Sequence, residues 1–270
     1  MNDIQKDQSA EQEKERLYSQ YEKLIIRRDQ LKKEAGISEA LYYHEFGPIM
    51  TDLFHKKLEC IQWKKIISYC QAAANTGKRV NEGELDTYIS NSMMEYRDQL
   101  RELIRRRDQT KKLEESPLFA VEKAKRIYRD IAKLIHPDMH PDLAGNPYFT
   151  ELWTKAAEAY HRNDVHGLEE VKLLSHTALV RLGKNGAMPR LPDIEERIKS
   201  VRDQINRIRS TDPYLFKFLL DDPEAVKDRK KDLNSELGEY TDYGLTLESV
   251  LTKMMGKEFT DAWKRKMQME

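Results

Sequence analysis

Glycine and proline are scarce, 11 and 9 in 270 residues, and where they occur they fall between periodic segments. That excludes a turn-rich sandwich or barrel, whose many short strands need such residues every few positions. No sustained period-two alternation appears, so strands are not expected. With only Cys60 and Cys70 there is no disulfide framework, and their place in a helical pattern reads as two reduced, buried thiols. No run approaches the ~18 apolar residues of a membrane-spanning helix. The opening MNDIQKDQSAEQEKERL lacks the apolar core of a signal peptide. These absences point to a soluble, cytoplasmic protein that does not engage a membrane. Net charge is also lacking: 47 basic residues stand against 47 acidic ones. No global field is left to hold nucleic acid or an anionic surface, so electrostatic recognition must be local.

What is present is helical periodicity. Leu17, Tyr21, Leu24, Arg28 and Leu31 repeat by four and three, a seam predicted to stop near Ala35-Gly36. A single seam needs a partner. The predicted one runs from about Pro48 to Asn75 and carries Phe54, Leu58, Ile61, Ile66, Ile67 and Cys70. A third helix follows from about Gly83 to Glu115, with Leu85, Ile89, Met93, Tyr96, Leu100 and Leu103 on its apolar face. Residues 1–115 therefore read as an antiparallel helical bundle. Gly183 to Pro192 is the clearest linker, and residues 193–270 read as an antiparallel helical hairpin or a coiled-coil arm able to form a homodimer. The fragments EKLIIRRDQLKK (22–33) and RELIRRRDQTKK (101–112) are alike. Both read as amphipathic helix ends with cations near the C-terminus, where they are favoured. No stacking aromatics are interleaved in the second, so nucleic-acid binding is not expected.

Between bundle and linker, residues 116–182, Ser116-Pro117 opens a helix with a capping residue and a first-turn proline. Its stripe is Tyr128, Ile131, Ala132 and Ile135, and a matching stripe, Trp153, Ala156 and Tyr160, follows about a dozen loop residues later. Two stripes so joined predict a helical hairpin whose tip reads His136-Pro137-Asp138-Met139-His140-Pro141-Asp142. The first helix is basic on its other face, through Lys123, Lys125, Arg126, Arg129 and Lys133 against Glu122 and Asp130. Pro137 separates His136 from His140, which removes the helical spacing that would aim two imidazoles at one metal. His161 and His166, around Asn163-Asp164, read as helix-end or surface side chains. The chain has no Gly-rich phosphate loop, no Gly-x-Ser-x-Gly and no His-Glu-x-x-His. Neither enzyme activity, nor a cofactor, nor a metal is expected.

The hairpin resembles the J-domain of the DnaJ co-chaperones, whose second and third helices flank a His-Pro-Asp loop. Tyr128 stands eight residues before His136, as in the family pattern, and Ala159-Tyr160 supplies the Ala-Tyr pair of the third helix. The resemblance covers residues 116–175 and selects the first triplet over the second. It implies docking on a DnaK-type chaperone ATPase and stimulation of its ATP hydrolysis. His136, Pro137 and Asp138 would form the tip of the docking surface, with Lys125, Arg126 and Arg129 on its basic face, and an unknown client would be held elsewhere. Three departures stand out: Asp130 where a base is usual, Met139 in place of the usual basic residue, and no short first helix upstream. The helix ending near Glu115 is expected to replace that first helix through Leu103 or Leu113. The expected fold class is thus all-α, with helical bundle and coiled-coil arms elongated around a J-domain-like hairpin. The alternative function is a non-catalytic coiled-coil scaffold in which the hairpin is only architecture.

Overall fold

The first seam does not stop at Gly36. In the computed structural model, which describes residues 2–110, 117–184, 191 and 193–269, α1 is one helix over Asn2–Asn75 with Pro48 inside it. Pro48 gives up one backbone N–H, and Gly36 sits in a helix interior at a cost of about 1 kcal/mol. Gly36 is there for room: a Cβ on it would lie 2.8 Å from the His161 ring. Likewise a Cβ on Gly47 would lie 2.9 Å from Cγ of Arg107. These glycines are close-approach positions rather than stops. The predicted division into two antiparallel helices before Asn75 is therefore corrected to one helix, and residues 48–75 cannot be the partner of the first seam.

The other helices are α2 (Glu82–Thr110), α3 (Leu118–Ile135), α4 (Pro141–Ala144), α5 (Pro147–His161), α6 (Val165–Arg181), α7 (Ile194–Ser210), α8 (Phe216–Leu220), α9 (Pro223–Met255) and α10 (Lys257–Met269). The described residues are all-α, with no strand among them. Contacts group the chain into two units, Met1–Ile37 with Glu114–Leu215, and Ser38–Leu113 with Phe216–Glu270. Each unit combines two separated stretches, whereas the sequence suggested consecutive divisions at 115, 182 and 192. The predicted cap at Ser116, the packing of Leu113, and most of the predicted linker lie outside the described residues.

In the first unit the predicted stripes form. Ala124, Ile127, Tyr128, Ile131 and Ile135 of α3 pack on Phe149, Leu152, Ala156, Ala159 and Tyr160 of α5 and on Leu168, Val171 and Leu179 of α6. Asn146 caps α5 by accepting the Tyr148 N–H, and Asp164 caps α6 by accepting that of Gly167. A second cluster joins Tyr21, Ile25, Leu31 and Ala35 of α1 to Ile198, Val201 and Ile205 of α7. The seam's partner is thus α7. The C-terminal hairpin is instead α9 with α10, turned at Gly256, whose φ is +88°.

In the second unit the later half of α1 supplies Leu58, Trp63, Ile66, Ile67 and Cys70 to a core shared with Leu85, Ile89 and Met93 of α2, Leu247 and Leu251 of α9, and Trp263 of α10. Four helical segments around one apolar centre make a bundle. Tyr42 and Phe46 extend it toward Leu233, with the Tyr42 ring stacked on Phe216 at 4.1 Å. Leu103 belongs here, beside Met50, Phe54 and Leu233. Both cysteines are free and buried, and burial pushes both thiols up. Among the described residues no helix is long and apolar enough to cross a membrane.

Ile131, fully buried between α3 and its neighbours, gives the first test of this packing. Ile131→Ala should cost about 2–5 kcal/mol in urea unfolding, and a cost under about 1 kcal/mol would contradict its place at the centre of the hairpin core.

Candidate functional site

The loop after α3 is built by its own sequence. Pro137 has no N–H to continue the helix, and the His136 N–H makes the last bond, to the Ala132 carbonyl. The chain then turns so that the Asp138 N–H donates to Nδ1 of His136 at 3.0 Å. A ring nitrogen that accepts carries no proton, so Nε2 bears the hydrogen and donates to Oδ2 of Asp29 at 3.2 Å. The His136 ring also meets the half-buried Trp153 edge-on, 4.4 Å between centroids. It is 2% exposed.

The second triplet does something else. His140 Nε2 lies 2.7 Å from the Lys133 carbonyl, Pro141 is the first residue of α4, and Asp142 forms an ion pair with Lys184. His140-Pro141-Asp142 fastens the loop to the end of α3 and starts the next helix. The two histidines thus serve different partners, and among the described residues no cluster of three or more His, Cys, Asp or Glu could hold a metal.

The tip faces α1. Arg28 places Nη1 2.6 Å from Oδ2 of Asp138, and Nη2 2.9 Å from Oδ1 of Asp29. The same Asp29 accepts from the Tyr128 hydroxyl at 3.0 Å. Tyr21 donates to the Asp138 carbonyl at 3.3 Å, and Glu22 pairs with Lys133 at 2.9 Å. One helical turn beyond Asp29, Lys33 reaches the Tyr160 carbonyl at 2.7 Å and Oδ1 of Asn163 at 2.5 Å, with its ammonium 3.8 Å from the centre of the Tyr160 ring. The Tyr160 ring in turn stacks on Tyr128 at 4.1 Å. A single stretch of α1, residues 21–33, therefore covers the predicted tip and the Tyr128 side of the hairpin.

The electrostatics follow from burial and pairing. Burial alone would raise the Asp29 carboxyl, but the His136 hydrogen bond and the Arg28 guanidinium outweigh it and hold Asp29 below the usual carboxylate value. Burial, reinforced by the Asp29 charge, pushes the Tyr128 phenol up. Burial pulls the Lys33 ammonium down to about 8. Asp138 is the least enclosed member, its side chain 42% exposed.

The structure thus brings His136, Pro137 and Asp138 together with four residues the sequence reading did not place in the site: Tyr21, Arg28, Asp29 and Lys33. The fragment 22–33 is not a solvated helix end, since Arg28 and Lys33 are buried in mid-helix. One signal could have found it: Arg28 occupies a position of the apolar seam, where a charge needs a buried acceptor. The like fragment at 101–112 behaves as predicted as far as it is described. Arg105 and Arg106 pair with Glu102, and Arg106 also pairs with Glu39; Lys111 and Lys112 lie outside the described residues. On the hairpin, Arg126 and Arg129 are exposed and Lys125 is half-buried, and no ion pair among the described residues uses them. Two of the departures from the J-domain pattern have local causes. Asp130 pairs with Lys172 of α6 at 2.5 Å, and Met139, fully buried, plugs the α1–α7 cluster.

Because the folded Asp29 titrates below its ordinary value of 3.8, its contribution is fully present above that pH and is lost as pH falls through the folded value. The urea midpoint of the first unit should therefore drop between pH 5 and pH 3 more in the parent chain than in Asp29→Asn. At neutral pH the variant itself should be weaker by about 1.5–3 kcal/mol, and parallel pH profiles would contradict the assigned pairing. No family model matches the chain, and none of the curated proteins or solved structures compared with it is similar to it.

Proposed function

We propose that this chain is a J-type co-chaperone that recruits a DnaK-type chaperone ATPase through His136-Pro137-Asp138 and stimulates its hydrolysis of ATP. The observation that carries the reading is the placement of the first triplet. It sits at the tip between α3 and α5, with Tyr128 and Ala159-Tyr160 in the core that joins them. Asp138 keeps its carboxylate partly open to a partner's cation, while Arg126 and Arg129 are exposed on α3 and enter no ion pair among the described residues. Cations on such a face steer approach and favour the correct orientation. Asp138 would then act as an allosteric trigger, since hydrolysis is changed only by a contact that differs between the partner's states. The nucleotide and its chemistry belong to the ATPase.

A second reading rests on a specific observation. Because His136 and Asp138 already bond to Asp29 and Arg28, the triplet could serve only to join α1 to the hairpin, in a scaffold whose bundles bind other proteins.

Single-turnover ATP hydrolysis by a purified DnaK-type chaperone separates the two readings when the chain is titrated to saturation. Co-chaperone action should accelerate hydrolysis at least about fivefold, the low end of ordinary allosteric coupling, and Asp138→Asn should abolish the effect with helicity unchanged. Hydrolysis that stays at the basal rate at every concentration would leave the scaffold reading.

A further inference from the structure

Part of the surface that the proposed docking requires is already engaged within the chain. Tyr128 and His136 are 4% and 2% exposed, and Met139 is fully enclosed. Lys133 is held by Glu22, and Asp138 by Arg28. Trp153 and Tyr160 of α5 cover part of the Tyr128 and His136 rings, and the polar partners of the tip, Glu22, Arg28 and Asp29, together with the cluster that encloses Met139, come from one stretch of α1, residues 21–33, and from α7. The part of α3 that remains open, Arg126 and Arg129, is the part such a partner would meet first by long-range attraction.

We infer that residues 21–33 of α1 are an intramolecular latch that competes with the DnaK-type ATPase for the His136-Pro137-Asp138 tip. The inference rests on the co-chaperone reading above. Its chemistry is competition: the buried Arg28 guanidinium already pairs with Oδ2 of Asp138 at 2.6 Å, so a docking partner's cation meets a carboxylate whose charge is partly neutralised. Met139 replaces the basic residue usual at its position because it faces the apolar side of α1 and α7, where an ammonium would be stranded.

The closed stretch also holds polar costs that favour its release. Gln30 keeps its amide nitrogen buried without a hydrogen-bond partner, and the Lys33 ammonium is partly stripped of water. The hairpin does not need α1 to keep its loop. The Asp138–His136 and His140–Lys133 bonds are internal to it, so lifting α1 uncovers a preformed tip.

A latch lowers the population competent to dock, and the apparent dissociation constant rises by the inverse of that fraction, with no change in the rate once docked. The test compares the full-length chain with Arg28→Ala and Glu22→Lys. Single-turnover ATP hydrolysis by a purified DnaK-type chaperone is read as half-stimulating concentration and plateau, and amide hydrogen exchange is read over residues 136–140. Glu22→Lys reverses a pair whose side chains are 21% and 54% exposed, so it carries the test even where Arg28→Ala costs the unit its fold. Expected is a fall in the half-stimulating concentration of at least about tenfold for Arg28→Ala and a smaller fall for Glu22→Lys. The plateaus should be equal, and loop exchange faster in both. Equal half-stimulating concentrations in parent and variants, with stimulation present, would overturn the latch and leave the co-chaperone reading standing. No stimulation by any of the three chains would overturn both.

Discussion

An arginine in an apolar seam decides how the first unit goes together. Leu17, Tyr21, Leu24 and Leu31 would let α1 lie on almost any apolar surface, and a slide by one turn would bury nearly the same area. Arg28 removes that freedom. At 6% exposure its guanidinium must meet acceptors, and breaking such a buried pair costs about 3–5 kcal/mol. Only one register gives it both Asp29 and Asp138 while giving Asp29 both His136 and Tyr128. Apolar contact supplies the attraction, and the charged network supplies the register, much as one polar residue fixes register in a coiled coil.

Two of the departures from the J-domain pattern have a physical reading in the fold of the first unit. Asp130 is not a lone acid on the basic face of α3, because its carboxylate is tied to Lys172 and so braces α3 against α6. Met139 is where a tip turned toward α1 must be apolar. Both substitutions suit a hairpin that packs within its own chain. Neither touches Arg126 or Arg129, nor the exposed edge of Asp138. Scaffold and co-chaperone therefore share every contact of the closed arrangement.

How much of this was legible in the sequence depends on the range of the interaction. The hairpin was: Tyr128, Ile131, Ala132 and Ile135 mark one helix face, Pro137 ends the helix, and Asn146 with Pro147 starts the next. These are signals within one or two turns. The continuity of α1 was not, because a glycine that stops a helix and a glycine that admits a neighbour read alike. Gly36 becomes intelligible only when the His161 ring is seen against it. Nor was the pairing of α1 with α7 legible, since nothing local joins Tyr21 or Ile25 to Ile198 and Val201. The site fell between these cases. Asp138 was found through its motif, while Arg28 was visible as a charge on a seam whose acceptor lay 110 residues away.

The repeated triplet shows that three letters do not fix a role. In the first, the proline comes as α3 ends, so the histidine side chain stays within reach of the core and the aspartate projects from the turn. Backbone geometry then selects the His136 tautomer, since the Asp138 N–H occupies Nδ1 and leaves Nε2–H to face Asp29. In the second, the proline is the first residue of α4, so its histidine is an N-cap whose ring folds back on the Lys133 carbonyl. That backward bond ties the far side of the loop to α3. The second triplet therefore holds the first in place, and because this bracing is internal to the hairpin, the orientation of Asp138 is set before any cation, from α1 or from another molecule, arrives to pair with it.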